Sequence, residues 1–253
     1  MDYFDDFCKK NNLRYFLDYG SLIGAIRHKG FIPWDDDVDV AMPMPDYLRL
    51  CEIFPRDGEM FFDSMYNEKV SDFTPSTLTK IKSKKMVVEY NHFPLRTYTG
   101  IGIDIFPLCG YPNEKDEQLA YMQEFINLVD KWKEIVVIPY GTELYSKDKH
   151  VNLFNQMCEL ALLYDYESAE VIGPAYFGYD TYPAKDGGRA MPKSWYAKAL
   201  EMDFEGRKYT VPVGYDNVLK KWYGDYMELP PESERTAIHS GIIYKVEDFA
   251  KYE

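Results

Sequence analysis

Residues 19–40 read YGSLIGAIRHKGFIPWDDDVDV, and this stretch decides how the chain is read. Aspartates occupy positions 35, 36, 37 and 39, and the apolar Val38, Val40 and Met42 alternate with polar or small residues around them. Period-2 alternation marks a strand with one buried face, so a strand is predicted over residues 37–42. In that conformation Asp35, Asp37 and Asp39 share a face, while Asp36 and Val38 point the other way. Three carboxylates on one face repel one another, a cost that a hard divalent cation removes. Magnesium takes one or two carboxylates together with substrate phosphates, which suits an Asp-x-Asp pair. Taken alone, an acidic run is a solvated turn; the apolar strand pattern and the Pro33-Trp34 loop ahead of it argue against that here. An EF-hand calcium loop wants Gly at its sixth position and Glu at its twelfth. Counted from Asp35, the chain has Val40 and Asp46 there.

Just upstream, Gly20-Ser21 separates a compact strand candidate over residues 14–19 (RYFLDY) from a short apolar helix candidate over 22–27. A strand-to-helix junction presents backbone N–H groups that can hold a phosphate oxygen. Arg27, His28 and Lys29 form a basic triplet ahead of the aspartates. Arg27 is the candidate for a charge-assisted phosphate contact, and a solvated basic helix end is the plainer alternative. Downstream, Asp104 is the one charge within residues 101–108 (IGIDIFPL). A carboxylate inside an apolar strand is costly unless it is paired or bound to a metal. Lys80, Lys82, Lys84 and Lys85 lie on a further strand candidate over 76–90, either as pyrophosphate contacts or as a wet face.

The remaining pattern alternates helices and strands without strict βαβ order. Tyr3, Phe4, Phe7 and Cys8 space as a helix that Asn11-Asn12 ends, and Tyr47, Leu48, Leu50 and Cys51 form a second apolar stripe. Helices are predicted near 114–134, 150–165 and 216–222, a hairpin over 205–211, and a long Gly-, Pro- and Tyr-rich loop over 173–194. This predicts an α+β fold with a mixed sheet flanked by helices, and a helical, loop-rich C-terminal part. The chain has 29 Lys plus Arg against 42 Asp plus Glu, a net charge of −13, which argues against a nucleic-acid partner. Its 46% hydrophobic and 28% charged residues exclude wholesale disorder. Cys8, Cys51, Cys109 and Cys158 have no metal-site spacing and fit buried thiols in a reducing compartment. The N-terminus has no apolar signal core, and the longest apolar run, residues 135–139, is too short to span a membrane. A cytoplasmic protein, at most peripheral at the inner membrane face, is expected.

A Gly-Ser turn, an apolar-flanked Asp-x-Asp and a later lone strand Asp form the active-site pattern of the nucleotidyltransferase fold. Residues 20–43 (GSLIGAIRHKGFIPWDDDVDVAMP) closely resemble the signature of the LicD family of phosphotransferases, to which the fukutin-related proteins also belong. Residues 204–231 (FEGRKYTVPVGYDNVLKKWYGDYMELPP) are similar to that family's ending. The resemblance is close over 13–110 and looser over 175–240. It implies a single catalytic domain over 1–253, with a nucleotidyltransferase-like core over 1–110 and an acceptor- and donor-binding part over 111–253. It further implies transfer of a phospho-alcohol group, phosphocholine from CDP-choline being the best-known case, to a hydroxyl of a glycan or lipid-linked glycan such as lipopolysaccharide, teichoic acid or capsule. By the same resemblance Asp37 and Asp39 match a Mg²⁺- or Mn²⁺-binding pair, Asp104 a third ligand or the base for the acceptor hydroxyl, and Asp35 a further ligand. Gly20 and Ser21 match the phosphate-facing turn. A quaternary ammonium would suit an aromatic cage, with residues 176–182, Trp195 and Tyr196 as candidates beside their plainer role in the core; His239 is a weak candidate for proton transfer. The competing readings are a DxD glycosyltransferase, a nucleotidyltransferase acting on a triphosphate, and a non-catalytic carbohydrate- or calcium-binding module.

Overall fold

The computed structural model describes residues 1–56, 58–63, 79–90, 97–136, 146–175, 188–237 and 241–245. Helix α1 (Asp2–Asn11) buries Phe4 and Cys8, and its acidic first turn and basic last turn complement the helix dipole. Asn12 stops it in the left-handed conformation, which a short polar side chain tolerates. Strand β1 (Phe16–Leu17) runs into helix α2 (Tyr19–Ile23), which continues as one π-helical turn, Gly24–His28. Strand β2 (Asp39–Pro43) follows, then α3 (Met44–Ile53) with Pro45 in its first turn, where a missing N–H costs nothing. Strands β3 (Met60–Asp63), β4 (Thr79–Tyr90) and β5 (Thr97–Tyr111) precede helices α4 (Lys115–Val136) and α5 (Lys147–Ala161). Short strands β6 (Val171–Pro174) and β7 (Met191–Pro192) lead to a hairpin, β8 (Ala199–Phe204) and β9 (Arg207–Pro212). Helix α6 (Tyr215–Tyr223) and strand β10 (Gly241–Lys245) complete the described chain.

The main sheet runs β1-β2-β5-β4-β10, with β3 on β4 and β6 bridging β5 to β7. Strands β2 and β5 are parallel, so α3, β3 and β4 form the crossover between them; the other pairs are antiparallel. The fold is thus α+β with a mixed sheet, as the pattern predicts. Strand β6 pairs with β5 and β10 with β4, so strands beyond residue 110 belong to the same sheet as those before it. The expected one or two strands over 76–90 are a single strand with an irregularity between Lys82 and Val87. Val40 and Ile105, paired across β2 and β5, are both fully buried.

The hairpin lies earlier than predicted, with its turn at Glu205-Gly206 rather than its start there. Both turn residues have positive φ (51° and 76°), the conformation of a two-residue hairpin turn, and Gly206 adopts it without strain. That turn grips the acidic loop's approach. Glu205 N–H donates to the Lys29 carbonyl (3.0 Å), and its Oε1 accepts from Phe31 N–H (3.1 Å). Of the long loop expected over 173–194, residues 176–187 lie outside the described residues, as does His239.

Candidate active site

Asp39 opens β2 directly beside Asp104 of β5, the two paired in parallel register, while Asp37 reaches them from the irregular stretch ahead of β2. One carboxylate oxygen from each of Asp37, Asp39 and Asp104 lies within 4.8 Å of the other two, with Asp39 and Asp104 buried and Asp37 half-buried. Asp35, Asp36 and Asp37 form a second, outer triple that shares Asp37. The three predicted carboxylates therefore converge, but not by alternation along one strand. Pairing with β5 begins where Asp104 N–H donates to the Val38 carbonyl (2.8 Å). Asp39 N–H turns instead to the Ser21 hydroxyl (3.0 Å), so the ladder does not extend back to Asp37.

The Gly-Ser turn thus supports the cluster from behind. Ser21 is buried and holds the backbone of Asp39. A Cβ on Gly20 would strike the Asp35 carboxylate, so only glycine lets that aspartate lie against α2. Asp18, which the sequence did not single out, caps α2. Its Oδ1 accepts from Tyr19 N–H (2.8 Å), its Oδ2 from the Tyr196 hydroxyl (3.2 Å), and its own N–H donates to the Asp39 carbonyl (3.1 Å). Tyr19 sits at φ 45°, strained for a bulky residue, and its ring is clamped between Phe106 (4.8 Å) and Trp222 (6.1 Å). Tyr196 is core, as its plainer reading had it, and Trp195 packs on Gly214.

The basic residues divide. Lys80 lies opposite Asp104 across β4 and β5, its Nζ 2.8 Å from the carboxylate. Lys85 pairs with Glu59 and Lys84 lies over the Phe61 ring, both directed to β3 and its approach. Arg27 Nε donates to His28 Nε2 (2.9 Å), and its Nη1 donates to the carbonyls of Tyr226 (2.6 Å) and Glu228 (3.4 Å). Arg27 and His28 therefore tie the π-helical turn to the segment after α6, and Lys29 ends that turn at φ 60°. Arg235, over the Trp34 ring, lies near enough to Arg27 to depress its pKa further, after burial.

Burial, then the charges of Asp37, Asp104, Asp35 and Asp18, hold the Asp39 carboxyl well above the ordinary carboxylate range. Burial likewise raises Asp18 to about 6. Tyr223 on α6 is 38% exposed as a residue, but its phenol is pushed well up by loss of solvent around the hydroxyl and then by the charges of Asp39 and Asp18. Hard oxygen donors, crowded, buried and mutually repelling, are the donor set a hard divalent cation requires. A cavity of about 900 Å³, lined by Arg14, Tyr166, Lys193 and Tyr196 among others, lies elsewhere and contains none of these carboxylates. No helix among the described residues is long and apolar enough to cross a membrane.

A mixed sheet that gathers Asp39 and Asp104 at paired strand positions, with Asp37 beside them, builds a carboxylate cluster of the kind that could hold a hard cation. The chain belongs to the LicD/FKTN/FKRP family, whose nucleotidyltransferase-domain model matches residues 12–139, just over half of its length. It is 29% identical over 258 residues to the lipopolysaccharide cholinephosphotransferase LicD of Haemophilus influenzae, a match covering 94% of this chain and 91% of that one. It is 53% identical over 34 residues to the human ribitol 5-phosphate transferase FKRP, 13% of this chain and 7% of that protein. A third match, to the uncharacterized protein RP689 of Rickettsia prowazekii, is 39% identical over 57 residues, 22% of this chain and 21% of that one.

Proposed function

We propose that this chain is a metal-dependent phosphotransferase that moves a phospho-alcohol group, phosphocholine foremost, from a CDP-linked donor to a hydroxyl of a cell-surface glycan or its lipid-linked precursor. Its main support is the convergence of Asp37, Asp39 and Asp104 to within 4.8 Å. The activities for which two similar proteins are named, a cholinephosphotransferase and a ribitol 5-phosphate transferase, support the reaction class.

Phosphoryl transfer asks a protein for positioning and charge neutralisation more than for covalent chemistry. Asp37, Asp39 and Asp104 would hold a magnesium or manganese ion, with Asp35 beside them. Such an ion, when bound, neutralises charge on the donor's two phosphates. The acceptor oxygen attacks the phosphorus that carries the alcohol. The bond from that phosphorus to the bridging oxygen breaks, CMP leaves with the electron pair, and the hydroxyl proton passes to a carboxylate of the cluster. Gly20, Ser21 and Asp18 act from behind, by fixing where Asp35 and Asp39 stand. Arg27, His28 and Lys29 act by tying the turn ahead of the aspartates to the segment after α6 and to the Glu205 turn, and the remaining guanidinium N–H groups of Arg27 are the candidates for a donor phosphate. The test is thermal stabilisation of the purified chain, with magnesium, by CDP-choline, CDP-ribitol, CDP-glycerol, CTP and UDP-glucose. Release of CMP on adding a glycan acceptor is the second readout. Stabilisation by a CDP conjugate, abolished by chelator, is expected. Stabilisation by UDP-glucose alone, or by CTP with release of pyrophosphate, would refute the proposal in favour of a glycosyltransferase or a nucleotidyltransferase.

A further inference from the structure

Across three neighbouring strands the register sets Asp39 of β2, Asp104 of β5 and Lys80 of β4 in one row. Paired positions point to the same face of a sheet, so the ammonium reaches over the face that carries the carboxylates. Lys80 Nζ lies 2.8 Å from each oxygen of Asp104, and the two side chains are 33% and 13% exposed. A cation of the protein's own therefore already holds the third carboxylate. It cannot stay there unchanged when an ion is loaded. A hard dication needs a carboxylate oxygen at roughly 2.0–2.1 Å, and with the ammonium 2.8 Å from both oxygens the ion competes with Lys80 for the carboxylate's charge and orientation. Once Asp104 turns to the ion, the Lys80 ammonium faces added positive charge and needs a new anion. Its flexible stem and three donors can follow one that arrives nearby.

We propose that Lys80 is an internal counter-ion that Asp104 exchanges for the metal, and that the ammonium then binds a non-bridging phosphoryl oxygen of the incoming diphosphate. The identity of that diphosphate as a CDP conjugate rests on the phosphotransferase reading; the exchange does not. Metal and diphosphate then bind as a coupled pair, each tightening the other by the same factor. Lys80 opposes the ion alone and favours the ion together with the diphosphate. Its removal must move the two equilibria in opposite directions, which loss of a merely structural strand lysine would not do.

The experiment is calorimetric titration of the metal-stripped full chain, first with Mn²⁺ alone, then with inorganic pyrophosphate or CDP-choline at saturating Mn²⁺. Lys80→Gln should bind Mn²⁺ alone about fivefold more tightly, the worth of a partly exposed ion pair. It should bind pyrophosphate in the presence of Mn²⁺ about tenfold more weakly, the worth of a charged hydrogen bond. The tightening should vanish in an Asp104→Asn background, where there is nothing to exchange. Lys80→Arg, which keeps the charge and grips Asp104 as a fork, should bind Mn²⁺ alone more weakly than the wild type and serves if the Gln variant fails to fold. Unchanged or weaker Mn²⁺ binding by folded Lys80→Gln, or unchanged Mn²⁺ binding by Lys80→Arg, overturns the exchange while leaving the donor assignment standing. Opposed shifts with Mn²⁺ and pyrophosphate but no binding of CDP-choline uphold the exchange and refute choline as the transferred group.

Discussion

Asp39→Asn separates what the carboxylate cluster costs the fold from what it supplies to the site. Asp39 is 9% exposed, and an oxygen from each of Asp37 and Asp104 lies within 4.8 Å of its own. Two unit charges at that separation repel by about 3.5 kcal/mol at an effective dielectric of 20. Lys80 relieves part of this at Asp104, and the metal-free protein has a cheaper escape, which is to keep a proton on Asp39. The raised pKa of that carboxyl records the escape. Keeping an ordinary carboxylate protonated at neutral pH costs about 4 kcal/mol, so the penalty is bounded near that figure. Asparagine has the same shape, carries no charge and can donate from its amide to Asp37 or Asp104. The metal-free variant should therefore be about 2–4 kcal/mol more stable than the wild type at pH 7, roughly 5–15 °C in melting temperature for a chain of this length.

Metal offsets that advantage. At a hundred times its Kd an ion adds about 2.7 kcal/mol to the wild type, and it should add close to nothing to the variant. The pH dependence follows from the raised acid. The folded protein loses stability as pH climbs from the ordinary carboxylate pKa toward the raised one, so the variant's advantage should fade by about pH 4. Melting curves in chelator and in magnesium, at neutral and at acid pH, measure all of this. A variant less stable than the wild type in chelator would show that Asp39 is a structural residue. Equal stabilisation of both proteins by magnesium would show that the ion binds elsewhere.

Ser21→Ala removes the acceptor for the buried Asp39 N–H, and should cost about 1–3 kcal/mol in urea unfolding as well as metal affinity; an unchanged unfolding midpoint would mean that water or another group takes the N–H. Asp18, raised to about 6 by burial, destabilises the fold as pH rises through the interval from its ordinary pKa to that value, by about 3 kcal/mol in all. Asp18→Asn keeps an oxygen for Tyr19 N–H, so the metal-free variant should gain up to that amount at pH 7.5 and nothing at pH 4. Parallel pH–stability profiles for variant and wild type would refute this.

The carboxylates were legible because their neighbours are apolar. Val38 and Val40 beside Asp39, and Ile103 and Ile105 beside Asp104, mark charges set where burial is expensive, and such charges need a common partner. What lies beside them across the sheet was not legible. Lys80 reads as one lysine in an alternating run, and only the pairing of β4 with β5 distinguishes it from Lys84 and Lys85. Asp18 reads as a polar residue ending a strand, because its partner Tyr196 lies far along the chain. Arg27 shows the converse. Its position ahead of the aspartates suggested a phosphate contact, while its bonds to the Tyr226 and Glu228 carbonyls depend on where the chain returns after α6. The hairpin was misplaced for a local reason that was readable. Glu-Gly is a two-residue turn, and it belongs at the centre of a hairpin instead of its edge.

The division of labour within the acidic run follows from the same register. Asp39 and Asp104 are fixed by the pairing of β2 with β5 and by full burial of Val40 and Ile105 beside them. A slip of β2 by one residue would turn Asp39 to the other face of the sheet and place Val40 in the site. The spacing of their backbones therefore belongs to the fold, and only the side chains are left to turn toward a ligand. Asp35, Asp36 and Asp37 belong to a loop held from outside, by Gly20 against Asp35 and by the Glu205 turn against Lys29 and Phe31. A geometry that must close around a cation and open for a product needs one rigid part and one that yields. Under the proposed function the sheet supplies the fixed pair and the loop supplies the remaining carboxylates, with Asp37 as the residue shared by both triples. Substitutions that loosen the loop should therefore change how tightly the site closes, whereas substitutions in β2 or β5 should change whether the site exists.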